Sequence, residues 1–193
     1  FRGYGFSSGV PDVENTQTDA HIILDYVLKH LKTQNYSAPL FLMGRSLGSV
    51  SVLELAKRYP QDFSGLIIES GFSDEDPLFQ HIGTTAQQEG FKKEDGFLNG
   101  DKIKNYSGPL LIIHAEDDHI IPFSQGEVLY NSCPSKNKIF LPIPNRRIGG
   151  LSPNILVVCL DILNIEENLI LKFIFKRIYM KLSPFLSLRE EGA

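Results

Sequence analysis

Residues 39–48 read PLFLMGRSLG, and this stretch decides the fold. The continuous apolar run at 39–43 is typical of a strand buried on both faces of a parallel sheet. Gly44 ends the run, and apolar residues then recur at helical spacing over 47–59 until Pro60 stops the helix. The stretch therefore predicts a buried strand, a sharp turn and a helix.

The turn itself, Gly44-Arg45-Ser46-Leu47-Gly48, is a G-x-S-x-G motif. A turn of this kind strains the serine backbone and lifts its hydroxyl above the carboxyl edge of the sheet, where open α/β sheets bind ligands. We therefore take Ser46 as a candidate nucleophile and the Leu47 amide as a candidate oxyanion donor, with both glycines removing side chains that would clash. An ordinary Gly/Ser turn is the alternative. Arg45 could contact a substrate anion or form a structural ion pair.

Strands and helices alternate along the rest of the chain. Further buried strands are predicted at residues 65–69, 109–115 and 138–142, and further helices at 16–33 and 124–132, the first opened by a capping box of Thr16 and Asp19. Such alternation implies right-handed crossovers and a mostly parallel sheet with helices on both faces. The predicted fold class is α/β.

A second group of polar residues follows the third predicted strand, where residues 114–122 read HAEDDHIIP. A serine nucleophile needs a base, and the base needs a carboxylate that fixes its tautomer and stabilises the imidazolium. Asp118 is our candidate for this carboxylate because it follows Ser46 in the chain and lies just past a strand end. Asp117 is the close competitor, and a solvated acidic turn is the alternative for the whole cluster.

Together these residues resemble the α/β-hydrolase superfamily, specifically serine hydrolases with an R-G-Y-G-x-S-x-G loop, such as the monoacylglycerol-lipase-like, serine-aminopeptidase-like and acyl-protein-thioesterase-like groups. The resemblance covers about residues 1–145 and rests on RGYGFSSG at 2–9, GRSLGS at 44–49, SGF at 70–72 and DHIIP at 118–122. It implies a partial α/β-hydrolase fold that cleaves esters, thioesters or amides through a Ser-His-Asp mechanism, and it favours Asp118 over Asp117. A non-catalytic binding protein of this fold and a serine-peptidase-like activity are the alternatives.

The catalytic histidine of this family is not found at its expected place. Relatives carry it on a loop after the last strand, which here means after residues 139–145, whereas all five histidines (His21, His30, His81, His114 and His119) precede that point. We therefore expect little or no turnover. Two other histidines are the candidates to replace the missing base: His81, in a loop over the sheet, and His119, beside Asp118. For His21 and His30 we expect surface positions, and for His114 a core position bonded to the backbone.

Net charge and cysteine content limit the classes of partner and cofactor that we expect. A net charge of −4 over 193 residues, with no basic block, argues against nucleic acid. Cys133 and Cys159 are too few for a disulfide framework and are not spaced as metal ligands. We expect a small-molecule or acyl substrate and no metal or organic cofactor, and the oligomeric state is left open.

The chain is expected to have two unlike parts. Residues 1–145 form the partial hydrolase core, with a cap-like excursion at 70–108 that helps build the pocket, and 146–193 form a divergent apolar tail. The apolar runs of the tail fall short of the roughly 18 residues that span a bilayer. We expect the tail to come from an altered reading frame or junction, because the family motifs hold their register up to Asn145 and then vanish; an amphipathic element at a membrane surface is the alternative. Because Phe1 opens the chain without a signal region, we expect a cut start that omits the other oxyanion amide, and a cytoplasmic location.

Overall fold

The computed structural model describes residues 1–144. The helices are α1 (Val13–Thr33), α2 (Gly48–Arg58), α3 (Asp76–His81), α4 (Asn99–Ile103) and α5 (Phe123–Ser132), with a 3₁₀ turn at Lys93–Asp95; the strands are β1 (Phe41–Arg45), β2 (Gly65–Glu69), β3 (Leu110–Ala115) and β4 (Lys138–Ile143). Every strand and helix predicted from the sequence within this range is present. The predicted tail at 146–193, with both interpretations of its origin, lies outside the described residues.

The four strands form one parallel sheet in the order β1-β2-β3-β4. The register pairs Leu66 with Leu42 on one side and with Leu110 on the other. Parallel neighbours need a crossover, and α2 supplies it between β1 and β2, as α5 does between β3 and β4. The α/β class is confirmed, and the carboxyl ends of all four strands meet at one edge.

The central strands β2 and β3 are buried because both of their faces carry apolar side chains, which alternate along each strand. The prediction that β1 is buried on both faces is wrong: Met43 is 42% exposed, and within residues 1–144 β1 has a strand neighbour on one side only. On one face, strand residues pack with α2, α4 and α5 in a single core that includes Leu53, Leu66, Ile68, Ile103, Leu110, Ile112 and Leu129. Ile67, Leu111 and Ile113 on the other face are also buried. This agrees with the continuous apolar runs in the sequence. Helical cover of the second face stays a prediction.

The predicted capping box at the start of α1 is wrong. Asp12, in extended backbone conformation, is the N-cap, and its side chain accepts a hydrogen bond of 2.6 Å from the Asn15 amide. The Thr16 hydroxyl instead donates to the Asp12 carbonyl from inside the helix. Asp19 binds the Arg2 side chain and amide at 2.8 Å, which ties the N-terminal loop to α1. Asp12 lies one turn before Thr16 and is the N-cap because aspartate is preferred over threonine at N-cap positions.

Part of the excursion at 70–108 belongs to the core. Ile103 and Tyr106 are fully buried in the main core, and the Asn99 side chain donates a 3.0 Å hydrogen bond to the Phe72 carbonyl. Burial raises the pKa of Tyr106 to about 12, and its hydroxyl donates to the Pro109 carbonyl at 3.0 Å. Phe72 of the same segment is also fully buried, against Val50 and Ile121. The polar composition of the excursion hid this, because its few buried apolar residues are scattered among polar ones.

A buried ion pair joins α4 to α2. The Lys102 ammonium, 4% exposed, lies 2.6 Å from Glu54 Oε2, and His21 Nε2 on α1 lies 3.4 Å from Glu54 Oε1. Burial is the largest single effect and opposes ionisation of Glu54, but the contacts with Lys102 and His21 and the charge of Lys57 together outweigh it, so the pKa of Glu54 lies below its ordinary value of 4.5. A carboxyl with a lowered pKa stabilises the fold above its unfolded pKa, and that contribution is lost as pH falls through the folded pKa.

We predict that Lys102→Met destabilises the protein by about 2 kcal/mol at pH 7, because Glu54 then loses its ion-pair partner while still partly buried. The deficit should shrink as the pH falls through the pKa of Glu54 in the folded parent, which lies below 4.5, because the lost attraction disappears once Glu54 is protonated. Urea unfolding at pH 7 and pH 4, followed by circular dichroism, measures it. Lys104→Met is the matched control because Lys104 pairs with Asp101 at the surface. Equal midpoints for the two variants at pH 7 would contradict the prediction.

None of the helices in the described portion of the chain combines the length and apolar character needed to cross a membrane.

Candidate active site

Ser46 occupies the turn between β1 and α2 in a left-handed backbone conformation, with φ of 50°. Its amide donates to the Glu69 carbonyl at 2.9 Å, and its carbonyl accepts from the Ser49 amide at 2.9 Å. These two hydrogen bonds hold a conformation that costs a non-glycine residue free energy, and such strain is concentrated at functional sites. The strained serine that the motif predicted is therefore present.

The two glycines of the motif have different roles. A Cβ on Gly44 would lie 2.5 Å from the Gly48 carbonyl oxygen and 2.6 Å from Val52 Cγ2, so no side chain fits where α2 crosses β1. A Cβ on Gly48 would meet no atom of residues 1–144 within 4 Å. The expectation that both glycines avoid a clash is correct for Gly44 and wrong for Gly48.

The Leu47 amide lies at the start of α2, next to the serine. It donates to no acceptor within residues 1–144, and the N-terminal end of a helix carries partial positive charge. An amide without an acceptor can donate to the oxyanion that forms on a carbonyl oxygen when Ser46 Oγ bonds to the carbonyl carbon. Its role as oxyanion donor stays a prediction.

Asp118 and Asp117 differ in their surroundings. Asp118 is 7% exposed, and its Oδ1 accepts hydrogen bonds from the amides of Ile120 and Ile121 at 3.0 and 2.8 Å. Its Oδ2 has no hydrogen-bond donor in the described part of the chain and lies 3.8 Å from His114 Nε2. Asp117 is exposed. A solvated turn therefore describes Asp117, whereas Asp118 is a fixed, buried carboxylate.

One pocket brings the two candidates together. It has a volume of about 290 Å³ and is lined by Arg45, Ser46, Ser70, Asp118, Ile120 and Ile121. The strand order explains this, since Ser46 follows β1, Ser70 follows β2 and Asp118 follows β3 along the same edge. Of the excursion at 70–108, only Ser70 lines the pocket.

Ser70 is a pocket residue whose backbone conformation the sequence reasoning missed. It has φ of 46°, close to that of Ser46, and its amide donates to the Ile113 carbonyl at 2.9 Å, as the Ser46 amide does to Glu69. The two serines hold equivalent positions on neighbouring strands. The available signal was that Ser70 directly follows a buried strand, as Ser46 does.

None of the five histidines lines this pocket. His114 is buried, with Nε2 2.9 Å from the Ile121 carbonyl, which is the predicted core position. His81, His119 and His30 are exposed, and His21 is near Glu54. Residues 1–144 thus assemble the candidate nucleophile and acid without a base beside them.

Neither a thiol nor a metal site competes with this pocket in residues 1–144. Cys133 is buried, and burial raises the pKa of its thiol, which donates to the Tyr106 carbonyl at 3.2 Å. A thiol held protonated is a poor nucleophile. Within the same range, no three His, Cys, Asp or Glu side chains are grouped so as to hold a metal ion.

The amino-acid sequence is similar to known hydrolases. Residues 1–90 match the family model described as serine aminopeptidase, S33. Alpha/beta hydrolase domain-containing protein 17C from Mus musculus is 32% identical over 140 residues, which is 69% of this chain and 39% of that protein. Lysophosphatidylserine lipase ABHD12 from Xenopus tropicalis is 32% identical over 155 residues, covering 71% and 39% respectively. The chain therefore spans about two fifths of the length of these relatives.

Solved structures share the fold. Est1E from Butyrivibrio proteoclasticus, solved with ferulic acid, superposes with a TM-score of 0.61 at 18% identity, covering 84% of this chain and 72% of Est1E. A monoacylglycerol lipase from Paleococcus ferrophilus superposes with a TM-score of 0.52 at 16% identity, covering 74% and 69%. At these identities the likeness establishes the architecture alone.

Proposed function

Because this chain belongs to the α/β-hydrolase superfamily, we propose that Ser46 is the nucleophile of a serine hydrolase acting on small carboxylic esters, thioesters or amides, lipid-like acyl groups included. The observation that carries the proposal is the shared pocket, which places a strained serine and a fixed, buried carboxylate at one sheet edge. Backbone strain and buried carboxylates of this kind are concentrated at functional sites, and the amides of Ile120 and Ile121 hold Asp118 through Oδ1 while Oδ2 is left without a donor in residues 1–144.

In this reaction Ser46 Oγ attacks the carbonyl carbon and loses its proton to a base, while the carbonyl oxygen gains negative charge. The Leu47 amide donates to that oxyanion. In a complete triad Asp118 would orient a histidine base through Oδ2, but no histidine lines this pocket. The leaving group departs with a proton, and water then hydrolyses the acyl-serine. Since no histidine of the chain follows β4, solvent hydroxide or buffer must accept the Ser46 proton. Both acylation and deacylation are then slow.

A second candidate is a non-catalytic protein of the same fold that binds acyl compounds. The absence of a histidine from the lining of the pocket favours it. A peptidase-like activity is a third candidate, favoured by the family model that residues 1–90 match. Substrate assays with matched acyl esters and acyl amides separate the hydrolytic candidates from each other.

We predict that a fluorophosphonate probe labels the protein slowly, once per chain, on Ser46, and faster at pH 9 than at pH 7 because hydroxide stands in for the base. Intact mass and peptide mapping measure the adduct. Ser46→Ala should remove all labelling, whereas Ser70→Ala, which alters the equivalent serine of the same pocket, should keep it. Labelling that persists in Ser46→Ala contradicts the proposal. Absence of any adduct at pH 9, with acyl compounds still bound, favours the binding protein.

A further inference from the structure

Arg45 is the charged residue next to Ser46 in the lining of the pocket. It is the last residue of β1, lines the same pocket as Ser46, and its side chain is 48% exposed. The nearest carboxylate oxygen, Glu69 Oε1, lies 3.6 Å from Nε, which is beyond hydrogen-bond distance. Among residues 1–144 the guanidinium donates no hydrogen bond, so its planar set of N–H groups is available to a ligand.

Arg2 shows the contact that a structural arginine makes in this protein, and it differs from that of Arg45. Arg2 donates through Nε to Asp19 Oδ1 at 2.8 Å, and its Nη2 lies 2.7 Å from the same oxygen. That paired contact is the geometry in which arginine fixes a carboxylate. Arg45 and Glu69 make no such contact, although they are register partners on adjacent strands. The structural ion pair considered for Arg45 is therefore a loose one.

The carboxylates near Arg45 do not occupy its guanidinium, so an anion could bind there. Burial raises the pKa of Glu69 against the opposing effect of Arg45. At 3.6 Å from Nε, Glu69 Oε1 makes no hydrogen bond to the guanidinium and competes with a ligand through charge alone. The Asp118 side chain is fully buried, and Oδ1 is already occupied by two amides. The positive end of α2 begins beside Ser46 and adds to the potential of Arg45. Ile120 and Ile121 line the same pocket and form its apolar wall.

We propose that Arg45 is a specificity residue that selects acyl substrates with a carboxylate or phosphate a few bonds from the reacting carbonyl. The proposal rests on the proposed function, since the carbonyl must reach Ser46. Arg45 and Ser46 line the same pocket, so one substrate can place an anion at Arg45 and its carbonyl at Ser46. The apolar wall then holds the uncharged part of the substrate.

The test uses two pairs of esters, each with an anionic member and a neutral analogue. Mono-4-nitrophenyl adipate and its methyl ester place the charge on the acyl side, and 4-butyryloxybenzoate and its benzamide place it on the leaving group. The rate of acylation of Ser46 is followed by intact mass. At least one anionic ester should react about tenfold faster than its neutral partner, and that preference should fall as salt is raised. The pair that shows the preference identifies the side that carries the anion.

Arg45→Gln should reduce the preference to about one, and Arg45→Lys should keep part of it. Arg58→Gln removes one positive charge at the exposed far end of α2 and should leave the preference unchanged. Glu69→Gln, which keeps Arg45 and removes its competitor, should raise the preference. Equal rates within both pairs, or a preference that survives Arg45→Gln, overturn the inference. If no ester acylates Ser46, the proposed function fails; if both members of each pair do so equally, only the role of Arg45 fails.

Discussion

The purified chain is expected to turn over 4-nitrophenyl butyrate about 10⁶ times more slowly than a serine hydrolase with a complete triad, because removing the base from such a triad has that effect on rate. Ser46 and Asp118 line one pocket, and no histidine joins them there. The candidate acid then has no imidazole to orient, and the candidate nucleophile has no base to accept its proton. The residual rate comes from the turn and the Leu47 amide alone.

Steady-state hydrolysis measured beside Ser46→Ala decides this prediction, because that variant reports the uncatalysed background. Ordinary turnover, about 10 s⁻¹, together with probe labelling on Ser46 would show that a base is present after all. His81 and His119 are the residues to test in that event. His81→Ala and His119→Ala identify which of them is the base, and because both side chains are exposed, the two variants should keep the fold.

The sequence was informative where one local pattern determines the structure. Continuous apolar runs predicted the positions of the strands and the burial of β2 and β3, since strands covered on both faces need no alternation, but not the partial exposure of β1. The G-x-S-x-G motif predicted the strained turn at Ser46, because its two flanking elements are adjacent in the chain. Chain order left Asp117 and Asp118 open and the resemblance to hydrolases favoured Asp118; the structure adds the burial and the two amide hydrogen bonds that distinguish it from Asp117.

The features that sequence reasoning missed depend on contacts between distant segments. The strain at Ser70 arises from a hydrogen bond to Ile113 on the next strand. Likewise, Ile103 and Tyr106 enter the core only because α4 packs between α2 and α5. Competition between two nearby caps, Asp12 and Thr16, also cannot be ranked from spacing alone. The ion pair between Arg45 and Glu69 is loose because its atoms lie 3.6 Å apart, and a sequence does not give such a distance.

The largest expected loss of stability follows from the Gly44 contact. Gly44→Ala places a Cβ 2.5 Å from the Gly48 carbonyl oxygen, which is backbone and cannot rotate away. Either β1 or α2 must shift, and we expect about 3 kcal/mol of destabilisation, at the upper end of the usual effect of overpacking. Because Ser46 lies between these two elements, the shift should also abolish probe labelling of the serine.

Gly48→Ala is the matched control, since its Cβ meets no atom of residues 1–144 within 4 Å. Alanine is favoured over glycine in a helix, so this variant should be as stable as the parent or slightly more stable and should keep its labelling. Urea unfolding followed by circular dichroism measures both variants in a chain that has no tryptophan. Equal losses at the two positions would mean that the motif requires glycine for backbone freedom rather than for the close approach of α2 to β1. A loss confined to Gly44 assigns the requirement to that approach, and then the second glycine of G-x-S-x-G is not needed for the fold of this protein.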